Sequence, residues 1–304
     1  MREANTPALV LEGVSKSFDE FVAVRDLSLV VRPGTIYGLL GPNGAGKTTT
    51  IRMIVNIIAP DAGRVLLYGQ PMGERLMDRI GYLPEERGLY KKMRIGEQLR
   101  FFGELKGLTP KQADERASGW LDRLKLSEWR AKKTDELSKG MQQKIQFITA
   151  VMHEPDLLIL DEVFSGLDPV NAELMIEVLH ELKAAGRTII LSTHQMEQAE
   201  RLCDDICLIN KSRKVLEGSL REVKSGAGRR AVALRAENAN GVLEDRRLVA
   251  GVKNLGDYSE VVLAEGADEQ EVLRRLVEGG AKVTRFESVE PSLHDIFIQK
   301  VSEG

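Results

Sequence analysis

One short segment constrains the fold of this sequence most strongly: an apolar run that leads through a glycine-rich turn into a helical pattern. Residues 35–40 are nearly all apolar, as expected of a strand buried on both faces of a sheet. The turn Gly-Pro-Asn-Gly-Ala-Gly-Lys-Thr-Thr occupies residues 41–49, and residues 48–56 show helical spacing. Backbone N–H groups in such a turn, together with the positive end of the following helix, can bind phosphate. The segment therefore predicts an α/β fold with a phosphate-binding loop.

The residue types within this loop favour nucleotide binding. Glycine allows the backbone to curl around a phosphate group. Lys47 is placed to reach the β- and γ-phosphates and to take part in catalysis, and the Thr48 hydroxyl is placed to ligate Mg²⁺. The predicted nucleotide-binding residues are Gly41, Pro42, Asn43, Gly44, Ala45, Gly46, Lys47, Thr48 and Thr49.

Two further segments place polar residues directly after apolar strands. The run Leu-Leu-Ile-Leu at residues 157–160 ends in Asp161 and Glu162, and a strand predicted at residues 188–192 lies just before His194. Because open α/β sheets bind ligands at the carboxyl ends of their strands, we expect Asp161 to hold the Mg²⁺ shell and Glu162 to polarise the attacking water. His194 is expected to meet the γ-phosphate and the same water from the neighbouring strand.

The composition limits the class of protein. The 304 residues are 42% hydrophobic and 29% charged, with a formal net charge of -3 at pH 7. A chain of this length favours two domains, and the balanced charge argues against nucleic acid as a partner. No apolar stretch approaches the roughly 18 to 20 residues that cross a bilayer, and residues 1–7 lack the apolar core of a signal peptide. We therefore expect a cytoplasmic protein.

Strand and helix patterns divide the chain into a large domain, a linker and a small domain. Residues 8–222 form the predicted nucleotide-binding domain, in which antiparallel strands near the N-terminus precede alternating strands and helices. Residues 88–140 lack a strand pattern and are predicted to form an inserted helical subdomain. Residues 223–229 are predicted to be a linker, and residues 230–304 a small C-terminal α/β domain.

Residues 137–141, with the sequence Leu-Ser-Lys-Gly-Met, lie upstream of Asp161 at the signature position of ATP-binding cassette (ABC) proteins. With the phosphate loop, Asp161-Glu162, the sequence Ser-Gly-Leu-Asp at residues 165–168 and His194, they make residues 9–220 resemble that family. The resemblance implies a P-loop NTPase cassette with a parallel-sheet core, an N-terminal antiparallel β-subdomain and an inserted helical subdomain.

The resemblance also implies a dimer, because two cassettes of this family clamp two ATP molecules between them. The signature residues of one subunit would then complete the nucleotide site of the other. The residues expected to act across the dimer are Ser138, Lys139, Gly140, Met141 and Asp168. Phe18 matches the aromatic residue that stacks on adenine.

Four positions depart from the family pattern. Lys139 and Met141 replace residues of the usual Leu-Ser-Gly-Gly-Gln, and Val163 replaces the proline that commonly follows the catalytic glutamate. Glu85 stands where the family usually has glutamine, and its carboxylate could approach Mg²⁺. None of these changes removes the phosphate, metal or base groups, so we predict an active ATPase.

The C-terminal sequence Glu-Pro-Ser-Leu-His-Asp-Ile-Phe at residues 290–297 resembles bacterial exporter ATPases of the sodium-efflux and drug-resistance type. That branch implies a separately encoded membrane permease, which would select the substrate and hold this protein on the inner face of the cell membrane. A soluble ABC ATPase that acts on nucleic acid or ribosomes is the alternative, although such proteins tend to carry a second cassette or a long coiled-coil insertion. A third interpretation is a nucleotide-gated regulatory module, against which Lys47, Asp161 and Glu162 argue.

Overall fold

The computed structural model describes residues 6–86, 88–226 and 231–302. The chain forms two compact units, Met1–Leu220 and Arg221–Gly304. Among the described residues, none of the helices is both long enough and apolar enough to cross a membrane.

The first unit alternates strands and helices along most of its length. Its strands are β1 (Leu9–Phe18), β2 (Phe21–Val31), β3 (Ile36–Leu40), β4 (Ala62–Leu67), β5 (Gln70–Pro71), β6 (Ile80–Leu83), β7 (Leu157–Asp161), β8 (Thr188–Thr193), β9 (Asp205–Asn210) and β10 (Arg213–Ser219). Its helices are α1 (Lys47–Ile54), α2 (Ile95–Leu105), α3 (Pro110–Arg123), α4 (Lys139–Val151), α5 (Pro169–Ala184) and α6 (Met196–Leu202). Short 3₁₀ turns occupy Glu74–Arg79, Ser127–Trp129 and Thr134–Glu136.

A six-stranded sheet forms the centre of this unit, in the order β10-β9-β3-β8-β7-β6. Strands β9, β3, β8, β7 and β6 are parallel to one another, and only β10 is antiparallel to its neighbour. All five residues of β3 and of β7 are buried, which explains their continuous apolar runs. The crossover helices therefore cover a parallel core, as the sequence predicts.

A second, antiparallel sheet packs beside the central one in the order β2-β1-β4-β5. One hydrophobic core joins this sheet, helix α1 and the central sheet. It includes Leu9 and Leu27 from the antiparallel strands, Tyr37 from β3, Ile51 from α1 and Ile159 from β7. The alternation of polar and apolar residues in β1 and β2 thus reflects one face on the core and one face toward solvent.

Helices α2 and α3 occupy the region predicted as a helical subdomain. The boundary of α3 follows from local sequence: the Thr109 hydroxyl accepts a hydrogen bond from the Gln112 N–H at 3.3 Å, and the Gln112 side chain accepts one from the Thr109 N–H at 2.9 Å. Pro110 takes the first helical position, where its missing N–H costs nothing.

The second unit has the β-α-β-β-α-β order of a ferredoxin-like fold. Its elements are α7 (Leu220–Gly226), β11 (Ala231–Glu237), α8 (Asn240–Leu243), β12 (Val249–Asn254), β13 (Ser259–Leu263), α9 (Glu269–Glu278), β14 (Lys282–Val289) and α10 (Leu293–Ser302). The four strands form an antiparallel sheet in the order β12-β13-β11-β14. Val272 and Leu276 of α9 share a core with Val232, Leu234 and Val261 of the sheet.

Residues 223–226, which the sequence pattern placed in the linker 223–229, form the end of helix α7, and residues 227–229 lie outside the described residues. The preceding Leu-Arg-Glu-Val-Lys consists mostly of good helix formers, which explains this extension.

Strands β5, β6, β10 and β12 have no counterpart among the strands expected from sequence. Strands β10 and β12 lie at sheet edges, where a strand has one paired side and needs few apolar residues. Strand β6 is four residues long and includes Gly81, where an added Cβ would lie 2.0 Å from the carbonyl oxygen of Ala150. Close packing of helix α4 therefore requires glycine in this strand and weakens its apolar pattern.

Candidate functional site

The carboxyl ends of four adjacent strands bring the predicted polar residues to one edge of the central sheet. The register pairs Leu40 of β3 with Thr193 of β8, and Ser192 of β8 with Asp161 of β7. Strand β6, which runs into the segment with Glu85, is the next neighbour. The glycine-rich loop, His194, Glu162 and Glu85 therefore follow strands that end side by side.

The glycine-rich loop has a backbone that requires glycine at two positions. Gly41 and Gly46 have φ values of 150° and 110°. A Cβ at Gly41 would lie 2.1 Å from the carbonyl oxygen of Ile209, and a Cβ at Gly46 would lie 2.4 Å from that of Ala23. The loop is thus held against β2 and the end of β9 by close backbone contacts.

Lys47 begins helix α1 and is 6% exposed. Its Nζ donates hydrogen bonds to the carbonyl oxygens of Gly41 at 2.7 Å and Pro42 at 3.2 Å, so the loop curls around the ammonium group. Burial lowers the pKa of Lys47, while the negative charges of Glu162, Asp161 and Glu85 oppose that shift. A buried cation that faces three carboxylates is suited to contact the phosphates of a nucleotide.

Asp161 and Thr48 form a pair of oxygen donors beside this cation. The Thr48 hydroxyl donates a hydrogen bond to Asp161 Oδ2 at 3.1 Å, and Asp161 is 1% exposed. Burial raises the pKa of Asp161, against the effect of the hydrogen bond from Thr48. A cation bound there would stabilise the charged carboxylate.

This donor set fits Mg²⁺ bound partly through phosphates. Throughout the described ranges, no group of three or more His, Cys, Asp or Glu side chains could hold a metal by itself. Mg²⁺ commonly binds through one or two protein oxygens and completes its shell with water and substrate phosphates. A hydroxyl and a carboxylate beside a phosphate loop provide that arrangement.

Glu162 is buried, oriented and backbone-strained. It is 7% exposed, and its φ of 51° lies in the left-handed region that a glutamate rarely adopts. Its Oε1 accepts a hydrogen bond from the His194 N–H at 3.1 Å and lies 2.7 Å from His194 Nδ1. Its Oε2 accepts one from the Thr193 hydroxyl at 3.3 Å. These contacts fix the carboxylate and pair it with a histidine whose side chain is 49% exposed.

The site opens into a cavity of ≈ 360 Å³. Its lining residues are Phe21, Ala23, Asn43, Gly44, Gly46, Lys47, Thr48, Thr49, Glu85, Asp161 and Glu162. Gly41, Pro42 and Ala45 belong to the loop but do not line this cavity, and His194 reaches it through Glu162.

Phe18, predicted to stack on adenine, is not among these lining residues. It ends β1, is 47% exposed and has Lys16 Nζ 5.7 Å from its ring centre. Phe21, which pairs with Phe18 across the β1–β2 turn, does line the cavity and is 62% exposed. Phe21 is not among the residues predicted from sequence, although its aromatic side chain next to a turn, without a core position, was the available signal.

The signature residues lie outside the cavity of their own chain. Ser138 caps helix α4, and its hydroxyl accepts a hydrogen bond from the Met141 N–H at 3.3 Å. Ser138 and Lys139 are exposed, and a Cβ at Gly140 would lie 3.1 Å from the carbonyl oxygen of Gly166. None of Ser138, Lys139, Gly140 and Met141 therefore lines the cavity that holds Lys47 and Asp161.

Asp168 is also exposed and caps helix α5. Its carboxylate accepts hydrogen bonds from the Asn171 backbone N–H at 2.9 Å and from the Asn171 side-chain amide at 2.6 Å. These bonds lower the pKa of Asp168. Its carboxylate is therefore charged and held in place on the surface next to the loop of Gly166.

Two family patterns match complementary parts of the sequence. The ABC transporter pattern matches residues 24–165, and the C-terminal domain of ATP-binding proteins similar to DrrA1-3 matches residues 218–301. The ABC transporter ATP-binding protein YhaQ of Bacillus subtilis (strain 168) is 42% identical over 293 residues, which cover 96% of this chain and 98% of YhaQ. The chain belongs to the ATP-binding subunits of ABC transporters.

This membership confirms the family and the C-terminal branch expected from the sequence. The Nod factor export ATP-binding protein I of Rhizobium sp. (strain N33) is 35% identical to this ABC subunit over 296 residues and covers 96% of both chains. A solved structure of an ATP-binding subunit of an ABC transporter matches it with a TM-score of 0.68 and 32% identity, over 73% of this chain and 93% of that one. Proteins of this family bind ATP, and family membership implies ATPase activity.

Proposed function

We propose that this ABC subunit hydrolyses ATP as a dimer and drives export through a separate membrane permease. The observation that carries the proposal is the arrangement at one sheet edge of Lys47, the Thr48–Asp161 pair and the Glu162–His194 pair. These groups supply a phosphate-binding cation, metal-binding oxygens and an oriented base.

In this proposal, Mg²⁺ is held by Thr48 and Asp161, with Glu85 as a further carboxylate at the cavity. When bound, the ion would neutralise charge that develops on the β- and γ-phosphates. Glu85 lines the same cavity, and its negative charge opposes the lowering of the Lys47 pKa by burial, so this charge acts on the phosphate-binding region.

Glu162 acts as the general base in the proposed reaction. Its carboxylate accepts the proton of the attacking water, and hydrogen bonds from His194 and Thr193 keep it oriented. His194 is half exposed and contacts the carboxylate directly, which supports a role for it beside the same water and the γ-phosphate.

Dimer formation would complete this site. The helix that begins at Lys139 presents its positive end and the exposed Ser138 hydroxyl on the surface. A second copy would bring Ser138, Lys139, Gly140 and Met141 against the γ-phosphate, and Asp168 would lie at the same contact.

An apolar groove supports a permease as the second partner. This groove, of ≈ 320 Å³, lies where helix α2 and helix α4 approach β6. Its apolar lining includes Met77, Pro84, Leu89, Phe102 and the 63% exposed Leu105. The groove suits an apolar helical segment, and occupancy by the permease would hold this subunit at the inner face of the membrane. The relatives named for Nod factor export support the export direction.

Complementation between two inactive variants tests the dimer. Lys47→Ala removes the phosphate cation, and Ser138→Arg obstructs the signature face. Each purified variant alone should lack MgATP turnover, whereas an equal mixture should recover about a quarter of the sites, because half of the dimers are mixed and each holds one intact site. A mixture as inactive as its components, at concentrations where the wild type turns over, would contradict sites shared between subunits.

Co-purification tests the permease. A tagged wild-type chain expressed in its native membrane is expected to retain a polytopic membrane protein, and Leu105→Glu should lose it while it keeps MgATP turnover in detergent. Glu104→Gln, an exposed neighbour outside the groove lining, is the matched control and should retain the partner. Retention by Leu105→Glu would exclude the groove as the contact.

A further inference from the structure

Helix α4 carries three buried polar side chains close together in sequence. Gln143, Lys144 and Gln146 are 2%, 4% and 3% exposed. Their position on buried faces of a helix distinguishes them from solvated polar residues. Each must therefore have a partner inside the protein.

Each of the first two side chains binds a segment next to a predicted site residue. The Gln143 amide donates to the carbonyl oxygens of Glu162 at 3.5 Å and Val163 at 3.2 Å. Lys144 Nζ donates to Asn171 Oδ1 at 2.9 Å, and Asn171 in turn binds Asp168. Helix α4 thus contacts the loop of the candidate base and the first turn of helix α5, which Asp168 caps.

Gln146 binds the segment that contains Glu85. Its Nε2 donates to the carbonyl oxygens of Pro84 at 3.1 Å and Glu86 at 3.2 Å, which lie on either side of Glu85 in the sequence. Because both partners are carbonyl oxygens, only the amide nitrogen can face them. Glu85 between these two anchors lines the nucleotide cavity.

The amide oxygen of Gln146 makes this arrangement energetically unfavourable. Gln146 Oε1 is buried and has no hydrogen-bond partner within the described part of the chain. An unpaired buried acceptor is unfavourable, and an apolar side chain of the same size would avoid it. Core packing alone therefore does not account for glutamine here, whereas its two bonds to the 84–86 backbone do.

We propose that Gln146 is a positioning residue that holds Glu85 at the nucleotide cavity and ties it to the signature helix. Gln146 lies eight positions after Ser138, about two helical turns along α4. A displacement of the signature end by a second copy would thereby act on Glu85. The inference rests on the proposed Mg²⁺-dependent hydrolysis for its effect on activity, but not for its effect on the 84–86 backbone.

A matched pair of glutamine substitutions tests the inference. Gln142, on the same helix, also donates its amide to two carbonyl oxygens, those of Thr134 at 3.2 Å and Leu137 at 3.0 Å. Gln146→Met and Gln142→Met remove the same group with little change in volume. Amide hydrogen exchange of the ligand-free full chain should be about tenfold faster at Glu85 and Glu86 in Gln146→Met, and unchanged there in Gln142→Met.

Activity provides an independent readout. Gln146→Met should raise the Mg²⁺ concentration for half-maximal ATP turnover several-fold, and should add nothing in a Glu85→Ala background. If Gln146→Met fails to fold, Gln146→Glu, which places a carboxylate against the same carbonyls, replaces it in both assays. Exchange at Glu85 and Glu86 within twofold of wild type would overturn the inference. Absence of turnover in the wild type would instead reject the proposed function, and the exchange result would still decide the role of Gln146.

Discussion

Replacement of Glu162 by glutamine separates the chemistry of this side chain from its structural role. The substitution keeps the shape of the residue and removes its charge. The amide oxygen of the variant can still accept a hydrogen bond from the His194 N–H, which lies 3.1 Å from Oε1 in the wild type. The amide group can still pair with the Thr193 hydroxyl, which lies 3.3 Å from Oε2 in the wild type. We therefore expect the loop and the cavity to keep their form.

The expected effects on stability and turnover differ in size. Loss of charge turns charge-assisted hydrogen bonds into neutral ones, which changes the free energy of unfolding by about 1 kcal/mol, or about 2–4 °C in melting temperature for a unit of this size. Loss of the general base should reduce turnover by about 10²- to 10⁴-fold, equivalent to about 3–5 kcal/mol in the activation barrier. ATP affinity should remain, because Lys47 and Thr48 are untouched, and the dimer should accumulate with ATP bound.

Three measurements on purified protein check this prediction: steady-state MgATP turnover, nucleotide affinity by titration calorimetry, and dimer fraction by light scattering. Glu197→Gln, the same change at an exposed carboxylate near His194, is the control and should retain wild-type turnover. Residual turnover of Glu162→Gln above about a tenth of wild type would refute Glu162 as the base.

Three further predictions concern the loop, the cation and a buried histidine. Gly46→Ala should lower the free energy of unfolding by about 3 kcal/mol or more, since φ is 110° and the new Cβ would lie 2.4 Å from the Ala23 carbonyl oxygen. Gly44→Ala, where φ is 77° and the space around the new Cβ is open, should lower it by about 1 kcal/mol. Equal urea midpoints for the two variants would contradict this account. Lys47→Ala should weaken ATP binding at least about tenfold in calorimetry, because the phosphates lose a charged donor, and an unchanged affinity would remove Lys47 from the site. Burial lowers the pKa of His153 from 6.5 to about 4, so the folded state stays neutral where the unfolded state binds a proton. The free energy of unfolding should therefore be unaffected by His153 above about pH 6.5 and should fall by about 1–2 kcal/mol as the pH drops toward 4, a value reduced for the partial exposure of the ring. In His153→Gln, the urea midpoint should decrease less over the same pH range.

Much of the fold followed from repeating local patterns. Strands β3 and β7 and the centre of β8, residues 189–191, are apolar because both faces of a parallel sheet are covered, and such runs are visible in a short window of sequence. The edge strands β10 and β12 were missed because only their neighbours make them strands. Helix α7 extends into the predicted linker because the helix-forming residues before the glycine and serine continue the helix through them.

The site was predictable in its chemistry and less so in its contacts. Phosphate loops and acidic strand ends have fixed residue types, so the sequence alone offered Lys47, Asp161 and Glu162 as candidates for these roles. The 2.7 Å contact of Glu162 with His194 depends on the alignment of β7 and β8, which are separated by more than twenty residues. Phe21 was not expected in the cavity, because its place depends on the turn between β1 and β2.

The sequence by itself determined the family, the parallel core and the candidates for the phosphate, metal and base groups, because each is encoded by residue types at short spacing. Only the tertiary structure decided which groups touch. The strand order β3-β8-β7-β6 brings His194 into contact with Glu162 and places Glu85 at the cavity. The packing of helix α4 buries Gln143 and Gln146 against two loops and Lys144 against the first turn of helix α5. Such contacts join residues that are distant in the chain, and their selection rests on the burial of polar groups that must find partners in three dimensions.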